Sequence, residues 1–385
     1  MSWSEPLSFR SVAALRNALR LQQLTSQEII EDCERSHQQW GLVLGAFRQW
    51  RGPASSASAP AGGITGLPCS VKSVIRVAGF DTFAGSSLPL PSDWLGQGEF
   101  IGRVDECGHY AVGITHCAEF AVGGLGLNAH FPTPRNPWCT EGDRIPGGSS
   151  SGAGVSLWEG ACCFAIGTDT GGSVRVPAAA LGLVGYKPSA GRWPTSGVVP
   201  LASRFDSIGL ITHRVADVYV LVREFERRPF LDATETDSDS ATASAWSSAG
   251  WADFRVRLAS DLCWQALENG IGDVLHAAIA ELSAAGMRVE ADPSEVQQQA
   301  ADLRGSGPNT AAMELRKLFY GPLAANRAGL SAHVARFIES ERHRRQEEYT
   351  QRRETIFRLR KQIAATVASN EIVLAPTLRL SLIHI

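Results

Sequence analysis

Residues 145–177 read IPGGSSSGAGVSLWEGACCFAIGTDTGGSVRVP, and this stretch constrains the fold more than any other. It sets two glycine-flanked serines, Ser149 and Ser173, 24 residues apart. Between them the apolar pattern predicts a short helix over 153–159, a buried strand over 162–166 and a glycine-rich turn over 168–173. Loop, helix, strand and loop in that order is α/β construction. Glycines beside each serine permit dihedrals that other residues resist and let the backbone approach a ligand closely. A flexible linker is the commoner meaning of Gly/Ser runs, but apolar segments flank this one. A phosphate-binding loop would need a Gly-Lys-Ser/Thr ending, which neither stretch has.

The rest of the chain continues the pattern. Residues 11–47 predict two helices on the outside, the second opened by the capping box Thr25-Ser26-Gln27-Glu28. Residues 51–63, rich in Ala, Ser, Pro and Gly, form a loop. In GLPCSVKSV, Leu67, Cys69 and Val71 alternate as in a strand and put Lys72 on the opposite face. A helix and then a strand at 111–115 follow, with an acidic surface loop at 232–248. A helix is expected at 266–285, a strand at 287–290, one long helix at 331–369 striped by Ile356, Leu359, Ile363 and Val367, and a strand at 372–375.

Composition narrows the function. With 385 residues and 44% hydrophobic content the chain can bury a large core. A net charge of -3 gives no electrostatic reason to expect nucleic acid or an anionic membrane as partner. The N-terminus lacks the basic start and apolar middle of a signal peptide and no run reaches membrane-spanning length, so a cytoplasmic location is expected. Eight cysteines with no CxxC pair predict buried thiols rather than disulfides. Cys107, His109, His116, Cys117, His130 and Cys139 fit no zinc spacing, and no metal or cofactor is expected. The mixed-sign run ERHRRQEEYTQRRE reads as a solvated face, and the tryptophans, Trp94 and Trp193 among them, as core rather than pocket.

A serine nucleophile needs a base and donors for the oxyanion it creates. The chain has no histidine between His130 and His213, but a lysine can serve if burial lowers its pKa. Arginine outnumbers lysine 32 to 4, so Lys72 in its apolar setting stands out.

GGSSSG at 147–152, GTDTGGSVRVP at 167–177 and PCSVK at 68–72 together resemble the amidase signature family, over essentially the whole chain. The resemblance implies a central mixed β-sheet flanked by helices on both faces. It implies Ser173 as nucleophile, Ser149 as a relay held by a cis peptide after Gly148, and Lys72 as the neutral base. Backbone N–H groups of Thr170, Gly171, Gly172 and Ser173 would form the oxyanion hole, each worth on the order of 3 kcal/mol in the transition state. Ser150, Asp169 and Arg175 would hold the two loops in register. Asp206, in SRFDSIG, also resembles the family, but it reads equally as a turn residue and stays outside the expected site.

The implied activity is hydrolysis of a small carboxamide to carboxylate and ammonia through an acyl-enzyme, with a homodimer compatible. One alternative is the glutaminase subunit of a tRNA-dependent amidotransferase, although such chains usually carry glutamine where Val176 stands. The other is an inactive binding protein of amidase descent. Two departures qualify the resemblance: Ser73 follows Lys72 where the family commonly has aspartate, and the chain stops at RLSLIHI where members continue. The expectation is a single amidase domain over 1–379 lacking its C-terminal strands, with 380–385 a non-native tail.

Overall fold

The computed structural model describes residues 6–52, 65–91, 96–139, 144–227, 253–259, 267, 269–291, 306–321, 323–343, 346–367 and 370–377. The loop expected at 232–248, the tail at 380–385, Trp94, Cys263 and nearly all of the 51–63 loop lie outside them. The chain divides into two compact units, one of residues 1–245, 317–337 and 382–385, the other of 246–316 and 338–381.

In the first unit, α1 (Val12–Arg20) is capped by the Ser11 side chain, and α2 (Ser26–Leu44) opens on the expected box, Thr25 and Glu28 satisfying each other's N–H groups. Then come β1 (Phe47–Trp50), β2 (Pro68–Lys72), α3 (Glu99–Glu106), β3 (Tyr110–Thr115), α4 (Ser151–Trp158), β4 (Phe164–Asp169), α5 (Arg175–Leu181), β5 (Val184–Tyr186), β6 (Ser207–Thr212) and α6 (Val215–Phe225). The strands form one mixed sheet in the order β1-β3-β2-β4-β6-β5, in which β3, β2 and β4 run parallel. β1, β6 and β5 are antiparallel to their neighbours.

Parallel strands covered on both faces read as continuous apolar runs, and β2, β3 and β4 are buried throughout. Neighbouring residues of β4 point to opposite faces. Ala165 joins Ile30 of α2, Ala153 and Leu157 of α4 and Ala178 of α5, whereas Phe164 meets Phe225 of α6 and His109. Helices therefore lie on both faces, as the resemblance implied. Trp193 is buried against Phe100, Tyr186 and Phe225, so it is core.

Two expectations for this unit shift. The second helix ends at Leu44 rather than at 47, where the edge strand β1 begins, and the strand expected at 162–166 starts two residues later. Cys162 and Cys163 precede it as buried free thiols.

The second unit holds a parallel three-stranded sheet, with β7 (Arg255–Leu258) between β8 (Arg288–Ala291) and β9 (Glu371–Leu374). α7 (Asn269–Ala284) supplies the crossover that parallel neighbours require and packs on β8. The charged sequence RVRL of β7 hid this strand, which buries Val256.

The chain continues through α8 (Ser306–Phe319), α9 (Ala332–Glu339) and α10 (Gln346–Thr366). The single helix expected at 331–369 is thus two. Residues 340–345 offer no apolar stripe to hold a helix, and Arg342 N–H closes a turn on Glu339 C=O. Of the expected stripe, Ile356, Leu359 and Ile363 fall on α10, with Leu359 buried, and Val367 lies past its end. No helix among the described residues is long and apolar enough to cross a membrane.

Candidate active site

In an open sheet of this kind, ligands bind beyond the carboxyl ends of the parallel strands. Lys72 ends β2 and Asp169 ends β4 on that edge of the first unit. Lys72 is fully buried, its Nζ 2.7 Å from Ser149 Oγ, 2.9 Å from Thr168 Oγ1 and 3.4 Å from Thr168 C=O. Burial pulls its pKa from 10.5 down to about 8, against the opposing pull of Cys117, Asp169 and Asp206.

Ser149 is also fully buried, and the Gly148–Ser149 peptide is cis. A Cβ on Gly148 would lie 2.5 Å from Gly126 N, so only glycine lets these two backbones meet. Ser149 C=O accepts from Ala118 N–H, which ties the loop to the segment after β3.

The turn carrying Ser173 is wound around one carboxylate. Asp169 Oδ1 accepts from Gly172 N–H and Arg175 Nη2, both at 2.8 Å. Asp169 Oδ2 accepts from Val174 N–H and Arg175 Nε. Burial would raise the Asp169 pKa, but the Arg175 guanidinium and these N–H groups hold it below its ordinary value.

Ser150 joins the two loops: its N–H donates to Ser173 C=O at 3.2 Å and its hydroxyl to Thr168 C=O at 3.3 Å. Ser173 itself is half-buried beside Gly171, where an added Cβ would meet open space. Lys72 and Ser149 are thus in contact, and Ser150 joins the Ser149 loop to the turn that carries Ser173; one expectation is corrected. Gly172 N–H is engaged by Asp169, and Gly172 itself sits at a φ of +126°. It is not a free oxyanion donor here.

Thr168 escaped sequence reasoning, and Asp206, noted there, stood outside the expected site. Thr168 gives Lys72 two acceptors, and its place one turn before Ser173 in GTDTGGS was the available signal. Asp206 accepts from the Thr170 hydroxyl at 2.6 Å and from Leu201 and Ala202 N–H, so it braces the turn as well as closing its own. Where an aspartate would follow the lysine, the Ser73 hydroxyl instead lies 3.1 Å from the Cys117 thiol, which burial keeps protonated. Among the described residues no three His, Cys, Asp or Glu side chains gather as a metal site.

The fold and this geometry define an α/β protein with a buried lysine held against a serine at the carboxyl edge of a mixed sheet, one glycine turn from a second serine. A sequence model described as Amidase matches residues 28–383. The chain belongs to the amidase family.

A 2-amino-5-chloromuconic acid deaminase of Comamonas testosteroni is 38% identical over 316 residues, covering 79% of this chain and 66% of the relative. A glutamyl-tRNA(Gln) amidotransferase subunit of Salinibacter ruber is 33% identical over 59% of this chain and 44% of its own length. The chain thus matches two thirds or less of these curated relatives. Among solved structures, an amidase superposes with a TM-score of 0.79 at 21% identity, covering 94% of this chain and 81% of that one. The peptide amidase of Stenotrophomonas maltophilia gives 0.70 at 21% identity, over 92% and 80%.

Proposed function

We propose that the chain carries the catalytic half of an amidase that hydrolyses a small amide, R–CO–NH2 plus water giving R–COO⁻ and NH4⁺. Ser173 Oγ attacks the carbonyl carbon while its proton passes to Ser149, whose own proton passes to Lys72 Nζ. The tetrahedral oxyanion is held by N–H groups of Thr170, Gly171 and Ser173. Lys72 and Ser149 return the proton to the nitrogen as the C–N bond breaks, so ammonia leaves. Water then attacks the Ser173 ester along the same relay and releases the acid.

The observation that carries this reading is the setting of Lys72. A neutral amine has two N–H bonds and one lone pair. Thr168 Oγ1 and Thr168 C=O can take the two N–H bonds, which leaves the lone pair for the Ser149 hydroxyl 2.7 Å away.

Ammonia release from a panel of small carboxamides tests it, with Ser173→Ala as the comparison. The wild type is expected to exceed the variant by at least a thousandfold in kcat. Equal rates on every amide would refute catalysis by Ser173 and leave the binding-protein reading.

The Comamonas relative favours a second reading, loss of ammonia from an amino-substituted acid, and 2-amino-5-chloromuconic acid added to the panel separates the two. The amidotransferase reading has less support, because Val176 departs from the usual glutamine and the match covers less of the chain. Activity without added partner chains would exclude it.

A further inference from the structure

Lys72 and Ser149 come from different segments, and the relay needs them held 2.7 Å apart. Two buried turns of the first unit each hold one side of that pair. Ala84 N–H donates to the C=O of Ser73, the residue after Lys72, at 2.8 Å. Ala118 N–H donates to Ser149 C=O at 3.1 Å. The two turns are pressed together: a Cβ on Gly85 would lie 2.7 Å from the Cys117 carbonyl oxygen and 2.8 Å from that of Ala118.

Hydrogen bonds fasten this contact. Phe120 N–H donates to Ala84 C=O at 2.7 Å, and the Asn128 side-chain amide donates to Gly85 C=O and Cys117 C=O at 2.7 and 2.8 Å. Glu119, 3% exposed, adds a link from its side chain. Its Oε1 accepts from the Ser86 hydroxyl at 2.8 Å and from His130 Nε2 at 2.7 Å, and its Oε2 accepts from Ser331 N–H at 3.1 Å. Ala84, Phe120 and Ala121 are buried with φ of +49°, +47° and +60°, in the left-handed region that residues bearing a Cβ avoid. Residues persist there only where their surroundings over-determine them. A buried carboxylate next to Phe120, holding three donors from three other segments, supplies that constraint.

We infer that Glu119 is a positioning residue for the proton relay, its carboxylate clasping the Ala84 turn to the Ala118 turn so that Lys72 stays against Ser149. It acts through the backbones of Ser73 and Ser149 rather than on substrate. The inference rests on the amidase reading for its effect on turnover, but not for the clasp itself.

All three partners donate, so an amide at position 119 is not equivalent. Its oxygen replaces one carboxylate oxygen, and its NH2 then opposes either Ser331 N–H or the Ser86 and His130 donors. A backbone N–H has no second lone-pair face to offer, so the mismatch at Ser331 cannot be relieved by rotation.

Hydrogen exchange resolved to single amides by fragment mass spectrometry reads the clasp without turnover. In Glu119→Gln the amides of Ala84 and Ala118 are expected to exchange at least about tenfold faster than in the wild type, with those of β4 and β6 unchanged. Glu119→Asp and Ser86→Ala, which each keep a carboxylate at 119, are expected to fall between. Unchanged Ala84 and Ala118 amides, or equal acceleration across the whole sheet, overturns the positioning role.

Ammonia release then reads the relay. Glu119→Gln is expected to lower kcat about thirtyfold or more, with KM changed less than about threefold. In a Ser149→Ala background the same substitution is expected to lower kcat less than about threefold, because the relay it serves is already broken. An equal loss in both backgrounds, or a loss carried by KM, overturns the role. If the wild type turns over no amide, the failure falls on the amidase reading and the exchange measurement decides the clasp. Circular dichroism and melting curves establish that each variant is folded.

Discussion

At the scale of single residues, Lys72 is the base of the proposed chemistry, an amine that the fold has removed from water. With its pKa near 8, the neutral form that receives a proton grows as pH rises. The kcat/KM profile is therefore expected to climb about tenfold per pH unit below 8 and level off above it. A plateau already reached at pH 6 would rule out Lys72 as the base.

The same burial weighs on stability. The folded pKa lies below the ordinary 10.5, so the unfolded chain binds the extra proton between pH 8 and 10.5, and this residue's contribution improves as pH rises through that window. Below pH 8 its cost is fully present. One pKa unit is about 1.4 kcal/mol, so Lys72→Met is expected to abolish turnover while raising Tm at pH 7 by several degrees. A lowered Tm would show that the hydrogen bonds to Ser149 and Thr168 outweigh desolvation. Lys72 was legible in sequence as a rare lysine among apolar neighbours. Its partner Thr168 was not, because only β4 lying beside β2 brings that carbonyl and hydroxyl within reach.

At the scale of elements, the turn between β4 and α5 is held by the pairing of Asp169 with Arg175 more than by helix propensity. Asp169→Asn keeps the shape but loses the charge that gathers Gly172, Val174 and Arg175. It is expected to lower kcat about a hundredfold, as small misplacements of reacting groups do, with a smaller change in KM. Steady-state kinetics check this, and an unchanged kcat would mean the turn holds without that charge. Since the Asp169 pKa lies below 3.8, its stabilisation is intact above that pH and is lost as pH falls further.

The capping box of α2 and the glycine turn of Ser173 were readable because their signals are local. β1 and the break between α9 and α10 were not. An edge strand is defined by its neighbour β3, and a helix of uniform charge pattern ends where packing stops supporting it.

At the scale of the whole molecule, every residue of the proposed site belongs to the first unit, on or beside the three strands buried on both faces. Hydrogen exchange followed by mass spectrometry is expected to find the slowest amides in β2, β3 and β4, with the edge strands β1, β5, β8 and β9 exchanging sooner. Faster exchange in β2 than in β8 would contradict the core drawn here.

By itself the sequence determined an α/β chain of the amidase family and singled out Ser149, Ser173 and Lys72 as the reactive set proposed here. Glycine spacing, strand alternation and a rare lysine are all written in short stretches. Only the tertiary structure decided that Lys72 meets Ser149 and Thr168 rather than solvent, that Asp169 claims the Gly172 amide, that Asp206 braces Thr170, and that Glu119 gathers Ser86, His130 and Ser331. These relations join residues from different strands and loops, and no local pattern of polarity specifies which distant groups a folded backbone will bring within hydrogen-bonding distance.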